Sequence, residues 1–489
     1  MDNLVVFAPE ICLCIFAVAV ILLDLFVQKK GVLAGISVTG LLVTCIISLS
    51  LWGRDNASFA NGALATDEFS IFFHTLFVLA AALVILASRD YVNKLSRFQG
   101  EFYALILLAT IGMMLMASSR DLLAIYLAVE LASLSLYGLV GFLKDNRSSE
   151  ASLKYVLLGA MASCTMLFGM SMVFGVTGHT NVENIRDAIN AMSGVTENSA
   201  LLLGLVFLIA GFGFKIASVP FQMWVPDVYE GAPTPITAFL SVASKAAGFA
   251  VIMRVFIEAF GTEPLSHNWT MAFAVLAIVS MTLGNLAALS QTNVKRMLGY
   301  SSIAQAGYLL IGIAAYTTVV GTDTSGFGPT GILFFLAGYT LTNLGAFIAI
   351  IALSNKANSD QISDFAGMGK RAPVIALALT LCLASLTGLP PAVGFLGKFY
   401  LFNTAVQNDL LWLVVIGVIN SVISAFYYFR VIKAMWFTET ESIAEDDKVP
   451  SSWALRLALL VACFGVILFF FAPDQLLVWA EDAVRALSL

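Results

Sequence analysis

The stretch from Gly211 to Gly248 reads G-F-G-F-K-I-A-S-V-P-F-Q-M-W-V-P-D-V-Y-E-G-A-P-T-P-I-T-A-F-L-S-V-A-S-K-A-A-G. It sets two lysines, Lys215 and Lys245, in otherwise apolar sequence, with Pro220, Pro226, Pro233 and Pro235 between them. A helix that reaches Pro220 loses a backbone hydrogen bond and meets a steric clash one turn back, so the sequence predicts a kink or break there. Irregular backbone at membrane depth is tolerated only where protein or a water-filled cavity surrounds it. A buried lysine beside such a break is therefore a candidate functional site.

The rest of the chain is that of a polytopic membrane protein. Of its 489 residues 60% are hydrophobic and 11% charged, against about 25% charged in soluble domains. The 37 glycines suit close helix packing in lipid. No basic patch supports nucleic-acid binding. The six cysteines, Cys12, Cys14, Cys45, Cys164, Cys382 and Cys463, fall in apolar runs without C-x-x-C spacing and read as packing residues. The N-terminus, M-D-N-L-V-V-F-A-P-E, lacks a basic region and reads as the approach to a first span, not as a cleaved signal.

Apolar runs of bilayer-crossing length, about 18 to 25 residues, occur fourteen times: 4–27, 32–52, 69–87, 102–118, 122–143, 155–177, 201–225, 235–257, 269–290, 296–319, 329–353, 373–403, 409–436 and 453–472. Basic residues test this count, because cytoplasmic loops are enriched in Lys and Arg. Loops after odd-numbered spans hold 16 of the 25, among them Lys94, Arg147, Lys154, Lys295, Lys370 and Arg430; the opposite loops hold four, Arg54, Arg120, Arg186 and Arg485. The alternation places both termini outside the cytoplasm. Of the five that remain, Arg254 and Arg456 lie near span ends and are expected to snorkel to the interface. Lys215, Lys245 and Lys398 cannot easily do so.

Glu130, in D-L-L-A-I-Y-L-A-V-E-L-A-S, is the matching acid. It lies roughly 12 Å into its span and Lys245 roughly 15 Å into its own, both near the midplane. Glu10 and Asp24 lie close enough to span ends to be solvated. His74, a turn inside its span, suits either a hydrogen-bonded packing role or a proton relay. Glu150 and Lys154, four residues apart, read equally as a surface pair or as part of a site. His179 and His267 are loop residues without an assigned role.

Sliding the chain by 171 residues aligns the proline breaks. Pro220 falls on Pro391 (beside Pro390), Trp224 on Phe395, Asp227 on Lys398, Tyr229 on Tyr400, Tyr137 on Tyr308, and Glu130 on Ser301. The register implies two units of five spans, 4 to 8 and 9 to 13. An odd number of crossings makes the second copy enter from the opposite side, so the units are inverted repeats with broken spans 7 and 12. Chance similarity among apolar helices is the alternative.

The segments P-F-Q-M-W-V-P-D-V-Y-E-G-A-P-T-P, S-K-A-A-G-F, G-L-P-P-A-V-G-F-L-G-K-F-Y-L-F and S-S-E-A-S-L-K-Y-V-L-L-G-A resemble the antiporter-like membrane subunits of proton-pumping NADH:quinone oxidoreductase, respiratory complex I. The resemblance covers nearly the whole chain. Of the family's three paralogues, one carries a glutamate where Lys398 stands and another ends in a long lateral helix; the sequence resembles the third. The resemblance implies Glu130 as the span-5 glutamate, Lys215 as its partner, Lys245 as the central lysine and Lys398 as the exit lysine. Asp227, Glu150, Lys154 and His74 are secondary candidates, and Gln222 stands where many relatives have histidine.

The expectation is an all-α membrane protein divided into a three-helix segment (1–100), a first repeat (101–260), a second repeat (261–437), and a cytoplasmic loop, last span and tail (438–489). Its function would be to move protons through Glu130 and the lysines, coupled to quinone reduction elsewhere. The chain shows no glycine-rich dinucleotide fingerprint and no metal-ligand cluster, so NAD, FMN, iron–sulfur clusters and quinone are expected in partner subunits. Expected partners are other complex I membrane subunits, including paralogues, and the lipid bilayer of a bacterial inner membrane. A subunit of a multisubunit cation/proton antiporter or membrane-bound hydrogenase is the alternative, and a non-conducting scaffold is the second.

Overall fold

The computed structural model describes residues 7–27, 31–54, 57–60, 62–92, 98–263, 265–316, 327–438 and 452–487. The loop with Lys94 lies outside them. Among the described residues twelve helices are long and apolar enough to cross a membrane. Spans 2 to 6 are Gly31–Ser50, Glu68–Val92, Gln99–Ser118, Leu122–Val140 and Asn146–Thr177. Span 7 is Ser199–Ile216, span 8 Thr234–Ala259, span 9 Leu265–Leu289, span 10 Val294–Ala314 and span 11 Phe327–Ala357. Leu411–Phe437 and Trp453–Phe471 are spans 13 and 14. Ala8–Asp24, at 17 residues, is span 1. Span 12 is discontinuous, Pro373–Thr387 followed by Val393–Gln407. Each of the fourteen runs of the sequence thus corresponds to a helix or, at span 12, to a broken pair, twelve of them of crossing length.

Hydropathy alone does not order these helices; contacts do. Spans 8, 10 and 11 are almost wholly buried inside the bundle, whereas spans 2, 6, 13 and 14 expose apolar faces such as Leu157, Phe168, Phe426 and Phe464. Lipid tails satisfy such faces as well as protein does. Span 6 begins about nine residues before the apolar run, because Asp145 accepts from the Ser148 amide and caps a polar first turn, with Glu150 just beyond it and Lys154 a turn further on.

The two five-span units repeat in detail. Asp121 caps span 5 and Asn293 caps span 10, each accepting from the second and third amides beyond it. Gly112 lets span 4 touch the Ala132 backbone of span 5, and Gly284 lets span 9 touch that of Ala304 in span 10; a Cβ at either glycine would lie 2.6 or 2.7 Å from an amide nitrogen. These pairs share an offset of 172, one more than the proline register. Glu130 therefore corresponds to Ser302 and not to Ser301.

At the breaks the offset returns to 171. Ala217 (φ 62°) ends span 7 in the left-handed region and Gly388 (φ 91°) ends the first half of span 12 the same way. The Ser218 amide bonds back to the Gly213 carbonyl at 2.9 Å, and the Leu389 amide to that of Ala384 at 3.1 Å. Both are helix-ending turns of the kind closed by a six-residue hydrogen bond. The helices thus end at Ile216 and Thr387, four residues before Pro220 and Pro391, so those prolines lie within the breaks and do not kink continuous helices.

Candidate functional site

Lys215, Lys245 and Lys398 are 5%, 1% and 4% exposed. Lys215 sits in the last turn of span 7, and its ammonium donates to Ser133 Oγ in span 5 at 2.5 Å. Glu130 lies one turn before Ser133, yet its carboxylate accepts from Ser163 Oγ of span 6 and makes no ion pair with Lys215 within 4.0 Å. The pairing implied by the resemblance is therefore an interaction at a distance, each charge held by its own hydroxyl.

Lys245 lies between two π-helical segments of span 8, Leu240–Ser244 and Arg254–Ala259. Such widened turns recur at functional sites because they free backbone groups and re-aim side chains. The Lys245 ammonium donates to the hydroxyl and the carbonyl oxygen of Ser302. Tyr229 meets the same hydroxyl at 3.2 Å, and Asn343 of span 11 donates to Ser241 Oγ at 2.6 Å. Lys245 thus crosses from the first repeat to the second, reaching the position where the first keeps Glu130.

Lys398 is held by the end of its own broken helix. It donates to the Leu386 carbonyl at 3.1 Å, the Thr387 carbonyl at 2.9 Å and Ser421 Oγ at 3.0 Å, over the face of Tyr308 at 4.4 Å. Carbonyls left unpaired at a helix C-terminus carry partial negative charge and favour a cation. Between Lys245 and Lys398 runs a chain of polar groups: Ser302 and Ser301, Tyr428 on Ser301, and Gln305, which faces the Tyr428 hydroxyl at 3.5 Å and donates to the Leu386 carbonyl at 3.0 Å. Sequence reading missed Ser302, Gln305 and Tyr428. The spacing of Ser301, Ser302, Gln305 and Tyr308 along one helix was the available signal.

At the end of the bundle that carries the start of span 6, Lys154 bonds both Glu150 and Asp227 at 2.8 Å. Asp227 also meets Arg296 at 2.7 Å, and Glu230 meets Arg147 at 2.9 Å and Arg296 at 3.0 Å. These groups, apart from Arg296, line a cleft of about 190 Å³. Partial burial works against ionisation of Asp227, but the Lys154 and Arg296 hydrogen bonds hold its carboxyl below the ordinary range. Gln222 lies in the first break, partly buried.

Two expectations fail. Arg254 does not snorkel: it is fully buried, 2.7 Å from Asp67 and 2.6 Å from Glu258, because those carboxylates compensate it inside the bundle. Glu10 is not solvated but 6% exposed, 3.5 Å from His74, because spans 3 and 4 close over it.

Buried cations on two discontinuous spans, in paired five-helix units, define an antiporter-like membrane protein. The chain belongs to the NADH:quinone oxidoreductase/Mrp antiporter transmembrane family, whose sequence profile matches residues 119–424. It is 47% identical over 485 residues to NADH-quinone oxidoreductase subunit N of Dehalococcoides mccartyi, covering 98% of this chain and 99% of that one. It is 43% identical to subunit N of Trichlorobacter lovleyi, covering 99% and 97%. Among solved structures, a chain of respiratory complex I from Thermus thermophilus with bound aureothin superposes with a TM-score of 0.79 at 31% identity, covering 96% and 98%. A chain of the Mrp complex from Dietzia sp. shares the fold at 19% identity, with a TM-score of 0.80 over 99% and 96%.

Proposed function

We propose that the chain is the N subunit of a proton-translocating NADH:quinone oxidoreductase and carries one proton pathway through its membrane arm. The observation that carries this reading is the polar chain from Lys245 through span 10 to Lys398, inside helices that are otherwise apolar. Hydroxyls and a phenol, with water between Ser302 and Ser301 and between Tyr428 and Lys398, pass a proton between the two ammonium groups once one is deprotonated; the Gln305 amide only donates, to Tyr428 and to the Leu386 carbonyl, and orients the phenol. Glu130 and Lys215 stand at the opposite end, where the charge state of one alters the proton affinity of the other. The cleft among Arg147, Lys154 and Asp227 supplies protons from the cytoplasmic face, to which the basic-residue count assigns the start of span 6. Both termini then lie outside the cytoplasm.

In this reading NAD, FMN, iron–sulfur clusters and quinone belong to partner subunits, and neighbouring membrane subunits cover part of the apolar surface. Relatives of 47% and 43% identity favour this complex over a cation/proton antiporter or a hydrogenase. Co-migrating subunits of the purified complex distinguish these alternatives. The test of conduction is Lys245→Ala: proton uptake into vesicles, normalised to assembled complex and to quinone reduction, is expected to fall while assembly persists. Normal uptake would leave the chain a scaffold.

A further inference from the structure

The end of the bundle where span 1 begins holds ionisable groups that the lysine row does not use. Glu10, Asp67, His74, Arg254 and Glu258 are each no more than 6% exposed. Asp67, at the head of span 3, bridges Arg254 at 2.7 Å and Arg120 at 3.2 Å. Glu258 meets Arg254 at 2.6 Å and faces Arg120 at 3.7 Å. Glu183, half exposed on the helix Val182–Asn190, closes the cluster on Arg120 at 2.9 Å. Beside it, His74 Nε2 lies 3.0 Å from Ser118 Oγ, 3.3 Å from the Met114 carbonyl and 3.5 Å from Glu10 Oε1. Among the described residues, His74 Nδ1 and Glu10 Oε2 are buried without a hydrogen-bond partner.

The charges inside this cluster do not cancel. Arg120 and Arg254 are matched by Asp67 and Glu258, and Glu183 is half in water, which leaves the Glu10 carboxylate with the His74 imidazole and a hydroxyl. An unmatched carboxylate at that depth is costly, and one proton on Glu10 or on His74 removes the surplus. Two unpartnered atoms on the same two side chains provide the lone pairs for such a proton.

We propose that Glu10 and His74 share one exchangeable proton and form the site through which the lysine row communicates with this face of the membrane. The inference rests on the proton-conducting reading above. Span 8 carries both Lys245 and Arg254, nine residues and about 13 Å apart along the axis, and span 3, which carries His74, packs against the π segment that precedes Lys245. A proton leaving the row displaces the shared one, which passes by water to the half-exposed Glu183 carboxylate and on to bulk, while Arg120, itself always protonated, holds that carboxylate in place; only N–H and O–H bonds form and break. Asp67, Arg254 and Glu258 are positioning residues that fix the field around the pair.

The test uses the intact complex in vesicles with Glu10→Gln, His74→Gln and each combined with Lys245→Ala. Proton uptake per electron and the thermal dissociation temperature of the complex are read together. Each single variant is expected to lose the same share of uptake as Lys245→Ala, with unchanged dissociation temperature, and the combined variants to lose no more. Full uptake in His74→Gln and in Glu10→Gln overturns the proposal while Lys245→Ala still tests conduction. Losses that add to that of Lys245→Ala, or that follow a lowered dissociation temperature, also overturn it. Should Glu10→Gln fail to assemble, His74→Gln decides alone. If Lys245→Ala pumps normally, the conducting reading falls instead.

Discussion

Removing the charge of Asp67 tests how the bundle tolerates Arg254. Asp67 accepts from Arg254 at 2.7 Å, from Arg120 at 3.2 Å and from the Ser70 amide at 2.8 Å. Burial opposes its ionisation, yet Arg254 above all, then Arg120 and the Ser70 amide, hold its carboxyl below the ordinary value. Asp67→Asn keeps the shape and deletes the charge, leaving Arg254 with Glu258 and the Ala117 carbonyl. Breaking a buried pair from one side costs about 3 to 5 kcal/mol; with Glu258 still in place the lower end applies, about 3 kcal/mol. Arg254→Gln should cost a similar amount. Replacing both removes the bare ion that each single variant leaves, so the double should lie at least about 1 kcal/mol below the sum. Unfolding in mixed micelles at rising SDS fraction gives the four stabilities of the cycle. Additivity within about 0.5 kcal/mol would mean that the two groups do not share an energetic unit, and the geometry described above would not be their basis.

Glu130→Gln and Lys215→Met should each impair proton uptake and assemble almost as well as the double variant, because Ser163 and Ser133 and not each other hold the two charges; an assembly defect rescued only in the double would contradict this. The Asp227 contacts with Lys154 and Arg296 lower its folded-state pKa, so their stabilisation is complete above the ordinary carboxylate pKa of about 4 and is lost as pH falls through the lower folded value. The stability gap between the parent and Asp227→Asn should accordingly close on acidification, and a gap that widens would show the sign to be wrong. Single cysteines near Asp187 and near Lys370 should react with an impermeant reagent from opposite faces, Asp187 from outside; labelling of both from one face would remove the fourteen-span topology.

The apolar helices were legible because every bilayer crossing must be long and apolar, a property of local sequence. The two breaks were legible as regions, through prolines, but not to the residue, since Ala217 adopts a left-handed conformation that nothing in its identity announces. Lys215, Lys245 and Lys398 stood out as cations without an escape to water. Arg254 did not, because an arginine near a span end reads the same whether it reaches the interface or finds Asp67 from another helix 187 positions away. Glu10 was misread for the same reason. The one-residue change of register that matches Glu130 to Ser302 became visible only through helix caps and the glycine contacts of spans 4 and 9.

The two breaks end alike but are filled differently. A carbonyl in the last turn of span 7 accepts from the indole of Trp224, whereas the matching helix end in span 12 receives the ammonium of Lys398. Two copies of one unit, turned over relative to each other, look the same from either side of a membrane. Had the copies stayed identical, uptake and release would be interchangeable. The sense of transport must then reside in matched positions that have diverged, among them Trp224 against Phe395, Asp227 against Lys398, and Glu130 against Ser302. Exchanging residues within those pairs asks which substitution gives the protein a front and a back.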